Sequence, residues 1–498
     1  MKKGTSLPQW LSVTFMIISA AMTLMAAVTN PGLVQLPLAI TLLLAANVLI
    51  LLDDVCKNIV FLAFQGTFFL FLIAGPLLEA FDGKNFFDGF SQEMVTKTYV
   101  CYWLAAMAMW IYCFIRRLTG TEIFITLNGR KKAAKEYQYE LIRGYAKIAF
   151  YITIMAYFAL TMDKILYRQD NSLLDYYAEY SASSHLPGVV VKVADCYLIA
   201  FMLFLATRPS KRETLLPMFL FLMASALTLL YGVRNVFILN IIFAVIYFVI
   251  RNGDGEEIWL PKRYVVIGLA LLPVAMVLLQ AFDVFRRNAG FSLEDLKELF
   301  SFTLVKDFFV SQSVSSDILP YAMKYADKLG GQPVPYTLGT LYTYLRQNMI
   351  VRFFTGAASF TSNSVESALV GGNLGARMAY HMFRDSFLSG VGMGGSYTAE
   401  LFVDFSYPGV FLGTMLACGI MNRLSKAAVR RGGSPFMLAF ALVAVRWMAY
   451  LPRDSYFAWA MQAFSFMNIL FILMMFFLSH FQLTVSAGNE ETLDQLKA

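Results

Sequence analysis

Apolar runs long enough to cross a bilayer recur along most of the chain, and the charged residues collect in the short segments between them. The runs fall at 9–29, 32–52, 58–79, 98–115, 148–162, 188–206, 215–233, 236–250, 264–282, 405–421, 436–451 and 456–479. A helix rises about 1.5 Å per residue, so roughly 20 apolar residues cross the hydrocarbon core. The pattern therefore predicts an all-α polytopic membrane protein with about 12 transmembrane helices. The opening Met1-Lys2-Lys3 followed by the run from Trp10 has the look of a secretory signal. That run is long, further spans follow at once and no small-residue cleavage site is visible, so it predicts a retained first helix. Almost no loop remains between 233 and 236, and the seventh and eighth helices are expected to meet in a tight turn.

One segment breaks the rhythm. Residues 283–404 lie between the ninth and tenth runs and mix apolar, aromatic and charged positions without low complexity. Within it Leu293 to Phe309 reads as an amphipathic helix, with Leu296, Leu299, Phe300 and Phe308 at helical spacing. Tyr336 to Phe354 interleaves aromatic residues with Arg346 and Arg352. A loop of this length is usually functional, and we expect a folded cap on the outer membrane surface. The chain then divides into membrane helices at 1–282, a large external loop at 283–404, membrane helices at 405–479 and a polar, disordered cytoplasmic tail at 480–498.

Composition sharpens this reading. Of the 498 residues, 58% are hydrophobic and 15% charged, and mean hydropathy is +0.60. Soluble domains carry about 25% charged residues, so a soluble enzyme, a disordered chain and a disulfide scaffold are excluded. The net charge of +7 is not a nucleic-acid signature, because the basic residues sit in short loops. Segments 116–147, 207–214, 251–263 and 422–434 are the basic ones. Twelve spans with both termini in the cytoplasm put all four inside, as the positive-inside rule requires. Cys56, Cys101, Cys113, Cys196 and Cys418 lie in or beside apolar runs without metal-type spacing and read as packing residues.

Three places carry charge at the outer face. The first is Gly232-Val233-Arg234-Asn235, where an arginine between two apolar helices needs an anion or carboxylate unless it snorkels to headgroups. The second is Pro452-Arg453-Asp454-Ser455, with Arg446 two turns earlier; its plainer reading is an Arg–Asp pair fixing a turn. The third holds Arg377, His381, Arg384 and Asp385, then Gly390 to Gly395, Tyr397, Glu400 and Asp404. Its glycines let backbone N–H groups approach an anion, and the spacing of His381, Arg384 and Asp385 predicts one helical face. His381 alone is equally compatible with a surface histidine. Lys192 and Asp195 stand three apart in the sixth span and are expected to pair with each other or with a neighbouring helix. No Walker, Rossmann, HExxH or GxSxG motif is present.

The chain resembles the O-antigen polymerases, the Wzy-type enzymes that polymerise lipid-linked oligosaccharide repeat units. The resemblance rests on the overall layout and three pieces. These are Gly232-Val233-Arg234 ahead of an apolar helix, Gly392-x-Gly394-Gly395-Ser396-Tyr397-x-Ala399-Glu400-Leu401 with Asp404-Phe405 and Gly409, and Pro452-Arg453-Asp454-Ser455. Ser406-Tyr407-Pro408 replaces the glycine-containing turn expected after Asp404-Phe405. The resemblance implies a GT-C-like bundle in the cytoplasmic (inner) membrane of a bacterium. It implies an undecaprenyl-pyrophosphate-linked glycan as substrate, with membrane lipids, a chain-length regulator and a flippase as partners, and neither metal nor other cofactor. The product would be O-antigen, capsule or exopolysaccharide. Transfer from a lipid pyrophosphate needs the leaving group stabilised and the attacking hydroxyl deprotonated. Arginines suit the first task, so Arg234 and Arg453, with Arg384 or Arg377, are the expected pyrophosphate ligands. His381 or Glu400 is the expected base. Arg286 and Arg287 are weaker phosphate candidates, and Tyr336, Tyr342, Tyr344, Tyr380 and Tyr397 are candidates for stacking on sugars. An O-antigen ligase is the nearest alternative, since it uses the same donor. A flippase or transporter is less favoured: no internal repeat is visible, and few charges fall at mid-span.

Overall fold

The computed structural model describes residues 7–29, 32–119, 136–172, 175, 176, 180, 184–255, 257–261, most of 263–277, 302–429 and 433–497. Among these residues the fold is entirely helical. Nine helices among the described residues are long and apolar enough to cross a membrane: Gln9–Ala26, Gln35–Phe81, Gln92–Thr119, Tyr139–Asp170, Gly188–Ala206, Lys211–Tyr231, Asn235–Asn252, Tyr397–Val429 and Ala458–Phe481. Arg263–Ala275 and Pro435–Met448 are shorter apolar helices.

Three differences from the sequence expectation have local causes. The runs 32–52 and 58–79 form one helical stretch, interrupted at Leu52–Asp54 by a 3-10 turn in which Asp54 accepts from the Lys57 amide at 3.2 Å. The helix expected at 405 begins at Tyr397 and carries a break at Ser406, whose φ and ψ are 55° and −154°. Pro408 lacks an N–H and interrupts the hydropathy pattern there, which made the break look like a start. The tail is helical, because the last helix runs from Phe466 to Lys497 with no proline to stop it. Of the expected Leu293–Phe309 helix, residues 293–301 lie outside the described residues, and the rest falls in a helix at Phe302–Gln312. Arg286 and Arg287 also lie outside them.

The chain divides into two compact units, 1–126 with 246–425 and 448–458, and 127–245 with 426–447 and 459–498. In the first unit, small polar side chains tie apolar helices together. Ser12 donates to the Ala46 carbonyl at 2.8 Å and Ser19 to Ala39 at 2.6 Å, while Trp110 and Trp103 each donate to one of those hydroxyls at 3.0 Å. Inside a membrane apolar contact with lipid competes evenly with apolar contact between helices, so such bonds and close packing hold helices together. Arg116 binds the Asn58 and Asn422 side chains at 2.5 and 2.8 Å. Fully buried rings, Phe61, Phe64, Phe68, Tyr102, Tyr112 and Tyr397, fill the core.

The polar segment of this unit folds into short helices, including Ile318–Lys324, Tyr336–Gln347, Met349–Thr355, Val365–Val370, Leu374–Met382 and Arg384–Leu388. Lys306, on the Phe302–Gln312 helix that precedes them, pairs with Glu79 at 3.0 Å and with Asp82. The second unit has a ring stack through Phe150, Phe201 and Phe221 at centroid spacings of 4.9 and 4.4 Å. There Arg446, buried in an apolar helix, donates to Asn240 at 2.7 Å. Lys192 and Asp195 pair with each other at 3.4 Å. Four of the five cysteines are buried and all are free.

Candidate functional site

The site starts from a turn. Pro452 cannot continue the preceding helix, and Leu451–Arg453 forms a 3-10 turn in which the Arg453 amide bonds to the Tyr450 carbonyl at 3.0 Å. The Arg453 guanidinium donates to Gln312 Oε1 at 3.2 Å and lies 5.4 Å from the centroid of the Phe71 ring. It is therefore turned away from Asp454, and the plainer reading of an Arg–Asp pair does not describe this turn. Gln312 is buried and is held through its neighbour: the Ser313 hydroxyl donates to the Leu70 carbonyl at 2.9 Å and accepts from the Gly75 amide at 2.8 Å. Phe71 lies on a widened turn, Phe69–Ile73, closed by an Ala74 amide to Phe69 carbonyl bond. Such π-type turns recur at functional sites.

The glycine run packs against this turn backbone to backbone. A Cβ on Gly395 would lie 3.0 Å from the Asp454 carbonyl carbon and the Ser455 nitrogen. A Cβ on Gly375 would lie 2.0 Å from the Gly394 carbonyl oxygen, so only glycine permits that approach. Glu400 follows on the Tyr397–Val429 helix and is 1% exposed. Its Oε2 accepts from the Tyr456 amide at 2.8 Å. One turn later Asp404 accepts from the amides of Tyr336 and Thr337 at 2.9 and 2.7 Å, capping the Tyr336–Gln347 helix from outside. Two motifs far apart in sequence, 392–404 and 452–456, thus form one structure.

Leu374–Met382 is started by Asn373, whose Oδ1 accepts from the Ala376 amide at 2.9 Å. Arg377 on this helix is buried and donates to the carbonyls of Lys328, at 3.1 Å, and Gly330. Burial and the charges of Arg377 and Lys328 hold the half-buried His381 imidazole below its ordinary value, so it is neutral at neutral pH. The expected single face of His381, Arg384 and Asp385 does not form. The helix ends at Met382, Phe383 takes φ −147° and ψ 64°, and Arg384–Leu388 is a separate helix. The bend lets Phe383 and Phe387 pack against Ala368 and Ala379. Arg384 is left exposed, its guanidinium 5.3 Å from the Tyr380 ring centroid.

Arg234 belongs to the second unit. The turn before it is as tight as expected: Gly232 has φ 96°, and Thr228 Oγ1 donates to the Val233 carbonyl at 2.8 Å. Beside it Tyr231 clusters with Tyr176 and Tyr180, and Lys164 lies 6.0 Å from its ring centroid.

Two carboxyls stand out that sequence reasoning had not chosen as chemical groups. Asp454 is half-buried, and burial pushes its carboxyl up to about 6. Asp317, five residues beyond Gln312, is pushed up to about 7 by burial. Neither Gln312 nor Asp317 carried a local signal; both lie between the two stretches of the long loop, 293–309 and 336–354, that the sequence pattern marks. Two of the tyrosines proposed as sugar platforms, Tyr336 and Tyr397, are fully buried, and the Tyr336 hydroxyl donates to the Leu329 carbonyl at 2.7 Å, so neither ring can meet a sugar.

The family model for the O-antigen polysaccharide polymerase Wzy matches residues 10–484 of the chain. No curated protein and no solved structure matches it.

Proposed function

The chain belongs to the O-antigen polysaccharide polymerase Wzy family, and we propose that it joins undecaprenyl-pyrophosphate-linked repeat units into a surface polysaccharide at the outer face of the cytoplasmic membrane. The observation that carries this reading is the convergence of Glu400, Gly395, Arg453 and Asp454 on one backbone-packed turn. In the topology we propose, with both termini inside, that turn and the helices of 302–388 lie on the outer side. The exposed Met349, Phe353 and Phe354 then face the membrane surface.

In the proposed reaction the terminal hydroxyl of an acceptor unit attacks the anomeric carbon of the donor sugar. The new C–O bond forms as the bond from that carbon to the phosphate oxygen breaks, and undecaprenyl pyrophosphate departs with the electron pair. In-line attack inverts the anomeric configuration, through an oxocarbenium-like state. Arg453 compensates the negative charge that builds on the leaving oxygens, and Arg384, exposed on the Arg384–Leu388 helix, is a second candidate for that role. Arg234, in the second unit, is proposed in its own right as a phosphate-binding residue. Arg377 serves by position, since its donors already hold two carbonyls.

The proton goes to Asp454. Its carboxyl titrates near 6, so it is mostly ionised at neutral pH yet a stronger base than an ordinary carboxylate. His381 is the second candidate, favoured by its neutral ring. Glu400 orients the turn, because its carboxyl group is enclosed and accepts from the Tyr456 amide. The test is polymerisation by the purified full chain in lipid nanodiscs, given the lipid-linked repeat unit and a chelator. A ladder of chain lengths supports the reading. Transfer of a single glycan to a lipid A core, with no ladder, would make the chain a ligase instead.

A further inference from the structure

The first unit contains a cavity of about 530 Å³ that the reaction just described does not use. Four pieces of chain line it: the start of the Gln92–Thr119 helix, the 322–326 segment, the loop 329–332 and the turn 402–406. Its size falls in the range of small-molecule sites, roughly 300–1,000 Å³. We propose that it holds a neutral sugar ring of the glycan, one residue away from the bond being made, and so selects which repeat unit is polymerised. This rests on the polymerase reading above.

The lining argues for a sugar. Met94, Met323 and Phe402 offer apolar surface, while Ser91 and Gln332 offer hydrogen-bonding groups around it. A pyranose presents the same mixture, an apolar C–H face edged by hydroxyls. Gln332 lines the cavity, and its buried Oε1 accepts no hydrogen bond among the described residues, so a small turn of this side chain offers a hydroxyl an acceptor. Glu93 and Lys97 pair at 2.6 Å on the lining helix, which leaves that wall without net charge and unsuited to a pyrophosphate. An acyl chain would favour a different lining, like that of the cavity in the second unit, whose walls include Ile152, Val193, Met467, Leu470 and Phe471.

The cavity is also tied to the reactive turn by covalent chain. Phe402 and Ser406 lie two and six residues beyond Glu400 on one helix. Ser406 is held in a backbone region that side chains other than glycine rarely adopt, and Pro408 removes the N–H that an unbroken helix would aim at the Asp404 carbonyl. The break opens the wall that faces the cavity. On the opposite wall, Arg377 grips the carbonyls of Lys328 and Gly330, and Gly330 is itself a lining residue. The motif at 392–409 therefore shapes the cavity as well as the reactive turn.

The probe is the lipid-free single repeat unit cut from the strain's own polysaccharide, titrated against the full chain in nanodiscs. Binding is read by saturation-transfer NMR and calorimetry. Ala326→Trp, at an exposed rim position, should fill the cavity, and Gln332→Leu should remove the acceptor. Each should weaken probe binding tenfold or more and raise KM for the lipid-linked donor. Arg453→Ala should bind the probe like the wild type and polymerise a hundredfold or more slowly. If both cavity variants bind the probe with wild-type affinity, or the wild type does not bind it at all, the sugar site is overturned. If Arg453→Ala polymerises normally, the polymerase mechanism fails instead. Should Ala326→Trp misfold, as judged by size exclusion and thermal shift, the smaller Gln332→Leu change decides.

Discussion

Replacing Glu400 separates a chemical role from an orienting one. The carboxylate is 1% exposed and accepts the Tyr456 amide at 2.8 Å, and Tyr456 is itself buried. Glu400→Ala strips that amide of its acceptor, and an orphaned buried donor costs about 1–3 kcal/mol. The space left by the side chain adds a cavity term, so about 2–4 kcal/mol is expected in total. That loss falls on the turn carrying Arg453 and Asp454, and turnover should drop a hundredfold or more. Glu400→Gln keeps an acceptor oxygen of the same reach. It should hold the turn, lower the thermal midpoint only slightly and retain activity within about tenfold of wild type. The assay is initial rate of polymerisation in nanodiscs beside a thermal-shift measurement on the same sample. If Glu400→Gln is as dead as Glu400→Ala while keeping the wild-type midpoint, the carboxylate takes part in the chemistry and the orienting role is wrong.

Three other outcomes follow from the same geometry. Gly375→Ala places a methyl 2.0 Å from the Gly394 carbonyl oxygen, and forcing those backbones apart should destabilise the protein by about 1–3 kcal/mol, seen as a lower midpoint and reduced yield. Asp404→Ala removes the outside cap of the Tyr336–Gln347 helix, at a cost of about 1–2 kcal/mol, and limited proteolysis should then cut within 336–355 faster than in the wild type. If Asp454 is the base, its carboxyl must be ionised to act. Because burial raises it to about 6, the rate should climb with pH through 6 and level off above it. At pH 5 the rate should be roughly tenfold below the plateau, and Asp454→Asn should abolish the climb with the rate; a profile flat from pH 5 to 8 would assign the proton to another group.

Much of the fold was legible because apolar run length is a strong signal in a chain that must satisfy its backbone inside lipid. The tight turn at Gly232 and the Lys192–Asp195 pair were readable for the same reason, being polar events inside apolar runs. The extent of the Tyr397–Val429 helix was not, because a proline and a strained serine interrupt its pattern without ending it. Motif spacing identified the glycine run and Arg453 but could not show that Gly395 lies against Asp454 and Ser455, a contact between segments about sixty residues apart. Spacing also suggested a shared face for His381 and Arg384, and the burial of Phe383 and Phe387 overrode it. Gln312 illustrates the limit: an isolated glutamine in a long loop becomes a partner of Arg453 only through folding.

The most direct test of the central claim is the rate of pyrophosphate-linked polymerisation by Arg453→Ala and Arg453→Lys, measured with purified protein at equal amounts in nanodiscs. The account predicts that alanine costs about 3–4 kcal/mol of transition-state stabilisation, a hundredfold or more in rate, because no other described donor shares the Gln312 and Phe71 cradle. Lysine should restore only part of it, since the planar fork is lost. Wild-type chain lengths and rates from Arg453→Ala would contradict the account and reduce this arginine to a membrane anchor.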